Sequence, residues 1–378
     1  MAANEILIVA GDVSGDIHAA NLMAALKKQN SSLKLTAIGG PRMRPLADQF
    51  WVDLASQGIT GFVEPIKKIP ALAQLLKKIR IYFETNRPAA VITVDYYGFN
   101  YRVLRLAQKY NIPCYYYVTP QVWASRQYRA KRLAALTKKM YVIYPFEPAF
   151  HQKFGGKAVF LGNPLLDKMP SPQEKQYPSE TDANYPWKLG LLPGSRPGEI
   201  NRLLPVFYHA FKRVLIHYPN AQAYWFALPQ ADEKQLVALI GEKPSANFHI
   251  IKETDYKIRS QMDYLLTCSG TATLENALLG IPMLVAYKMF FPTYLIAQAV
   301  VKVDMISLVN ILANKEIVPE LIQHKATAAT CAHETLEMLN HPQRLGAMRE
   351  QLLQLRSSLG EPGVAQRAAS DILRDLKL

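Results

Sequence analysis

The sequence predicts an α/β protein made of two doubly wound, Rossmann-like domains that face each other across a cleft. Three observations lead there. The chain has 378 residues, too many for one ordinary domain. Short apolar runs that end in glycine or polar turns alternate with helical stretches, first over 1–164 and again over 188–345. Between the two series, residues 165–187 are polar, proline-rich and without periodicity, as a linker would be.

The elements follow in order. A first strand at 6–10 closes on Gly11-Asp-Val-Ser-Gly15-Asp16, ahead of a helical pattern over 17–28. The runs 35–38, 89–94, 114–118 and 139–143 end at Gly39-Gly40, Asp95, Thr119-Pro120 and Tyr144-Pro145, with helices expected over 70–85 and 101–110. This alternation argues for a parallel sheet covered on both faces. In the second series, 189–192 delivers Pro193-Gly-Ser-Arg196 and a helix over 199–217. Further strands are expected at 223–228, 248–251, 264–268 and 283–286. Residues 346–378 read as C-terminal helices, broken at Gly360-Glu-Pro-Gly363.

Composition narrows the partners. Hydrophobic residues make up 49% and charged residues 20%, a globular balance, with a net charge of +14. That charge suits nucleic acid, a phosphorylated ligand or an anionic membrane surface. No long basic run, zinc-finger spacing or ribonucleoprotein motif is present, so no nucleic-acid partner is expected. Three scattered cysteines, Cys114, Cys268 and Cys331, fit a reducing cytosol. The N-terminus lacks the basic region of a signal peptide. The longest apolar tract, 289–301, is interrupted by Pro292 and is shorter than the roughly 20 residues of a spanning helix.

In doubly wound sheets ligands sit beyond the carboxyl ends of the strands, so the turns there are the candidates. In Ser269-Gly270-Thr271-Ala272-Thr-Leu-Glu275 a strand opens directly into a helix whose N-terminus could seat a diphosphate, with Glu275 on the ribose. A buried helix capped by Ser269 or Thr271 has the same pattern. Ser195 and Arg196 follow Gly194, and Arg196 offers a fork of donors to phosphate; an arginine in a surface turn reads alike. The Gly11–Asp16 turn is neither a dinucleotide fingerprint nor a Walker loop. Asp95, at a strand end, is either a general base or a turn aspartate. There is no Asp-x-Asp and no metal-like His/Cys cluster, so no metal and no cofactor are expected.

Taken together, Gly11-x-x-Ser-Gly-Asp16, Gly40-Pro-Arg-Met43, Asp95-x-x-x-Phe-Asn100 and Val118-x-Pro-x-Val-Trp-Ala-x-Arg126 form an ordered set. It continues with Leu191-Leu-Pro-Gly-Ser-Arg196 and Glu199, Ser269–Glu275, Pro282-Met283, Ser307-Leu-Val-Asn310-Ile-Leu-Ala and Pro319-Glu-Leu-Ile-Gln323. Over essentially its whole length the chain resembles the lipid-A-disaccharide synthase family. The resemblance implies a GT-B fold and an inverting glycosyl transfer from UDP-2,3-diacylglucosamine to 2,3-diacylglucosamine 1-phosphate, lipid X. The product would be the β-1,6 disaccharide 1-phosphate, with release of UDP. It implies Asp95 and Arg196 as catalytic residues. It places Ser195, Arg196, Glu199, Ser269, Gly270, Thr271, Ala272, Glu275, Asn310 and Gln323 at the donor, and Asp12, Ser14, Gly15, Asp16, Met43 and Asn100 in the acceptor cleft.

Three positions depart from the commoner family pattern. Asp12 stands where many members have Glu, Gly98 where a second acid is frequent, and Asn163 where His is frequent. The last two put in doubt any mechanism that needs two acids in the Asp95 segment or a His at 163. The acyl chains point to the cytoplasmic face of the inner membrane, bound peripherally, with 62–80 and 289–301 as lipid contacts. A helix packed on its own domain with a basic outer face would read the same at 62–80. The C-terminal helices are expected to return to the first domain, or to exchange with a second subunit in a homodimer. The alternatives are the same fold with another acceptor, as in the lipid-linked transferase of peptidoglycan synthesis or a UDP-GlcNAc 2-epimerase, and a non-catalytic UDP-sugar or lipid-binding protein.

Overall fold

The computed structural model describes residues 3–56, 69–178, 182, 184–229, 231–252, 256–289 and 305–378. Of the two expected lipid-contact segments, residues 62–68 and 290–301 lie outside these residues. The chain divides into two units, Met1–Asp167 with Leu359–Leu378, and Lys168–Ser358.

In the first unit the order is β1 (Ala3–Ala10), α1 (Val13–Gln29), β2 (Lys34–Gly39), β3 (Gln49–Asp53), α2 (Ile69–Thr85), β4 (Pro88–Val94) and α3 (Tyr97–Lys109). Then come β5 (Cys114–Tyr117), α4 (Tyr128–Leu136), β6 (Lys139–Val142), α5 (Glu147–Gln152) and β7 (Ala158–Phe160). All strands are parallel, in the order β3-β2-β1-β4-β5-β6-β7. The strand order reverses between β1 and β4, which are paired with Ala10 opposite Val94. Their carboxyl ends therefore flank the switch point where doubly wound sheets bind ligands. Strands this apolar are stable here because helices cover both faces: Ile6–Ala10 and all but Ala89 of β4 are buried.

In the second unit the order is β8 (Lys188–Leu192), α6 (Pro197–His217), β9 (Gln222–Phe226), α7 (Glu233–Ile240), β10 (Phe248–Ile251), β11 (Tyr264–Cys268) and α8 (Thr271–Leu278). It ends with β12 (Met283–Tyr287), α9 (Leu308–Ala313), β13 (Glu320–Ile322), α10 (Ala328–Asn340) and α11 (Pro342–Ser358). The parallel order β10-β9-β8-β11-β12-β13 puts its switch point between β8 and β11.

Local chemistry moves some boundaries. Helix α1 begins at Val13, before the apolar pattern, because the Asp12 side chain accepts the Gly15 amide at 2.6 Å and caps it. Strands β3 and β7 carry no long apolar run because they are short, partly exposed edges. The C-terminal helices split between the units. Helix α11 stays with the second, where Arg349 donates to Gly280 O and Arg356 to Leu278 O, each at 2.5 Å. After Gly360 and Gly363, at φ +86° and +92°, only α12 (Val364–Leu376) joins the first unit. Its Ala365, Ala368, Ala369 and Ile372 are buried in the core cluster that contains Ala19, Ala20 and Met23 of α1. Lys139 pairs with Asp371 at 2.8 Å, and Tyr115 donates to Asp375 at 2.6 Å. The division thus falls at 358/359 rather than at 346.

Candidate functional site

In the first unit the turns after β1 and β4 stand side by side. Gly11 is required there, since a Cβ would lie 2.0 Å from the Tyr96 ring. Asp95 and Tyr96 both adopt left-handed backbone, φ +46° and +44°. Such strain persists only where the surroundings over-determine it. Here Asn100 Nδ2 donates to Val94 O (3.0 Å) and Asp95 O (2.7 Å), the Tyr116 hydroxyl to Asp95 O (2.5 Å), and Asp95 N to Val118 O (3.1 Å). The Asp95 carboxyl is pushed up to about 6, chiefly by burial and then by the charge of Asp12, against the pull of the Tyr96 amide. Burial likewise raises Asp12, opposed by the Gly15 amide.

The other expected cleft residues divide. Ser14 is exposed and Gly15 buried in the first turn of α1. Asp16 is buried, its carboxylate accepting the amides of Gly40 (2.9 Å), Arg42 (3.1 Å) and Met43 (3.2 Å), so it fastens the loop after β2. Met43 does not line an open surface. It is fully buried, its sulfur beneath Gly39, where a flexible apolar chain fills the gap. Asn100 is fully buried and holds the Asp95 turn rather than facing outward. Of the departing positions, Gly98 is exposed with open space around it. Asn163 is buried, donating to Ile143 O and accepting from Leu165 N, a turn-fixing role.

In the second unit the turns after β8 and β11 flank the other switch point. Gly194, at φ +117°, has no room for a Cβ, which would meet the Glu199 carboxylate at 2.5 Å. Glu199 accepts the amides of Ser195 and Arg196 at 3.2 Å and pairs with the Arg196 guanidinium at 2.9 Å. Arg196 is otherwise 80% exposed, so its donors are open to an anion. No side chain caps α8, whose N-cap is Gly270. Neither Ser269 nor Thr271 takes the capping role: the Ser269 hydroxyl donates instead to Ile306 O at 2.8 Å. Gly270 and Thr271 are exposed and Ala272 half-buried, leaving that helix end accessible to a phosphate.

Glu275 carries a largely buried ion pair with Arg259 at 3.0 Å, whose guanidinium lies over Phe226 and Tyr256. Asn310 does not line a donor surface. Its amide is fully buried and spent, donating to Val318 O and Glu320 and accepting from Ile317 N and Val318 N, so it fixes the loop before β13. Gln323, at φ +53°, pairs its amide with the backbone of Met289.

Sequence reasoning missed a cluster after β5 and β6. Glu147 is fully buried and raised to about 7 by burial, though its carboxylate accepts the amides of Ile143 (3.0 Å) and Tyr144 (2.9 Å). Trp123 and Thr119 bear on the same group. Its only sequence signal is the Val118–Arg126 motif; Glu147 itself reads as an ordinary helix-start acid.

The sequence of residues 6–372 matches the model of the lipid-A-disaccharide synthetase family. The chain belongs to that family. The lipid-A-disaccharide synthase of Syntrophus aciditrophicus is 37% identical over 372 residues, covering 96% of each chain. That of Geobacter metallireducens is 34% identical, covering 98% of this chain and 97% of its own. Among solved structures, Acinetobacter baumannii MurG superposes with a TM-score of 0.62 at 17% identity, over 98% and 99% of the two chains. A putative UDP-N-acetylglucosamine 2-epimerase from Listeria monocytogenes gives 0.63 at 13%, over 100% and 97%. These likenesses show the GT-B type of α/β fold. The lipid-A-disaccharide synthetase family is one of glycosyltransferases, and this chain is an enzyme of that class. Among the described residues no helix is long and apolar enough to cross a membrane.

Proposed function

We propose that the enzyme transfers the diacylglucosamine of UDP-2,3-diacylglucosamine to the 6-hydroxyl of lipid X with inversion, giving the β-1,6 disaccharide 1-phosphate and UDP. The observation that carries this reading is the Asp95 carboxyl, raised to about 6 at the switch point of the first sheet, in a chain of this family. A base of that acidity is largely ionised at pH 7 and still accepts a proton from an activated hydroxyl. As the new bond forms at the anomeric carbon, the Asp95 carboxylate takes the hydroxyl proton. The anomeric bond to the diphosphate oxygen breaks, and its electron pair leaves with UDP. Arg196 and the uncapped end of α8 would stabilise that charge.

The same reading sets the enzyme against the cytoplasmic face of an anionic membrane. Support comes from α2, α3 and α4, which carry nine Lys or Arg against the single Glu84. Between α2 and α3 a groove of about 610 Å³ is lined by Lys77, Arg80, Arg102, Arg105 and Lys109 over Ala73, Leu76 and Leu106. Basic rims over apolar floors suit phospholipid headgroups.

The deciding experiment is a chelator-containing assay in detergent with UDP-2,3-diacylglucosamine and labelled lipid X, following disaccharide and UDP. Disaccharide formation supports the reading. Bound UDP without product, or turnover of non-acylated UDP-GlcNAc instead, would move the assignment to another acceptor or to a binding protein.

A further inference from the structure

The Asp95 turn is held from below by a second strained loop. Val118, which receives the Asp95 amide on its carbonyl, sits at φ +55°. For a β-branched residue that is a costly backbone state, kept only where neighbours enforce it. On one side Val118 N donates to Tyr141 O at 3.0 Å. On the other the chain enters Thr119-Pro-Gln-Val-Trp123, and the groups that meet Thr119 and Trp123 belong to Glu147.

Glu147 Oε2 closes the turn after β6 on the amides of Ile143 and Tyr144. Its Oε1 is buried without a hydrogen-bond partner, as are Thr119 Oγ1 and Trp123 Nε1. The hydroxyl and the indole N–H both bear on this carboxylate. Three buried polar atoms, two of them donors and one an acceptor, satisfy one another with a small shift and have no other partner shown. Gln121, in the same loop, donates to the Tyr144 hydroxyl at 3.3 Å. Trp123 also packs edge-on against Tyr144 and Phe146.

We propose that Glu147 is a positioning residue for Asp95: it clasps the 118–123 loop, whose Val118 carbonyl fixes the Asp95 amide and so the direction of the Asp95 carboxyl. This rests on the reading of Asp95 as the base. Glu147 touches no substrate in this account. Among the described residues, the titratable groups whose charges couple to Asp95 are Asp12, Tyr116 and Tyr144, and Tyr144 also faces Glu147.

The test is steady-state kinetics of the full chain carrying Glu147→Gln, with Trp123→Phe as a second variant that removes one donor but keeps a ring, and Asp95→Asn alongside. Loss of the clasp lowers kcat by about tenfold to a hundredfold, with KM for both substrates within about twofold of wild type. It also moves the acid limb of the pH profile below about 6, because a loosened Asp95 is better hydrated. Trp123→Phe shifts both in the same direction by less, and decides the matter should Glu147→Gln fail to fold. An unmoved acid limb with unchanged kcat, while Asp95→Asn is inactive, overturns the inference and leaves the base intact. A lower kcat that follows only a lowered Tm, with the limb unmoved, reduces Glu147 to a structural residue. Turnover retained by Asp95→Asn removes the base and this inference with it.

Discussion

Asp12 and Asp95 stand beyond the carboxyl ends of neighbouring parallel strands, and the charge of Asp12 adds to burial in holding the Asp95 carboxyl near 6. The second acid acting on the base thus comes from the first turn of the chain and not from position 98. Below about pH 6 Asp95 is protonated and cannot act as a base, so kcat/KM is expected to rise with pH through about 6. Asp95→Asn should lower turnover by at least about a hundredfold. A carboxyl whose pKa is raised on folding contributes stability at low pH that is lost as pH rises through the folded value. Asp95→Asn should therefore melt no lower than wild type at pH 8, checked by thermal denaturation at pH 5 and pH 8.

Among the described residues Glu199 alone engages the Arg196 guanidinium, and 80% of the side chain is exposed. Arg196→Ala should weaken UDP binding by about tenfold to a hundredfold, the worth of a charge-assisted hydrogen bond, with the melting temperature unchanged. Isothermal titration with UDP checks this. Equal affinity would exclude Arg196 from the diphosphate site.

Asp16 accepts three backbone amides in a buried site. Removing it leaves those donors unpaired, so Asp16→Ala should cost about 3 kcal/mol or more in urea unfolding. A cost near zero would mean the loop after β2 finds other acceptors.

Gly98 lies in the first turn of α3 with nothing near its absent Cβ. Gly98→Ala should stabilise the chain by about 0.4–1 kcal/mol by narrowing the unfolded ensemble. A fall in Tm would show that the space is needed.

Helix α12 is expected to be integral to the first unit. Ile372→Ala, at a fully buried position, should destabilise it by about 2–4 kcal/mol. Chemical denaturation measures this, and an unchanged midpoint would detach α12 from the core.

Much of the architecture was legible because the physics is local. The inner strands are continuous apolar runs, and each chemistry-bearing turn follows one directly, so Asp95, Ser195, Arg196 and Ser269 could be assigned to strand ends by pattern alone. What the sequence could not show was which polar side chains remain available. Asp16, Asn100 and Asn310 carry the residue types of a binding site, yet Asp16 is consumed by amides of the loop after β2, Asn100 by the carbonyls of Val94 and Asp95 in its own turn, and Asn310 by the backbone of Ile317 and Val318. Met43 has no polar atom to betray whether it faces ligand or core. Edge strands β3 and β7 are too short and too wet to leave a periodic signal.

By itself the sequence determined the two βαβ series, the break between them, the glycines of the strand-end turns, and the basic balance of the chain. These depend on residue type and on neighbours a few positions away. The tertiary structure decided what depends on long-range approach. It parted α11 from α12, since burial of one helix face is settled only by what packs against it. It set Asp95 near 6, because desolvation and the Asp12 charge come from segments more than eighty residues apart in the chain. And it brought Glu147 beneath Thr119 and Trp123, a juxtaposition made by strand pairing that no spacing along the chain encodes.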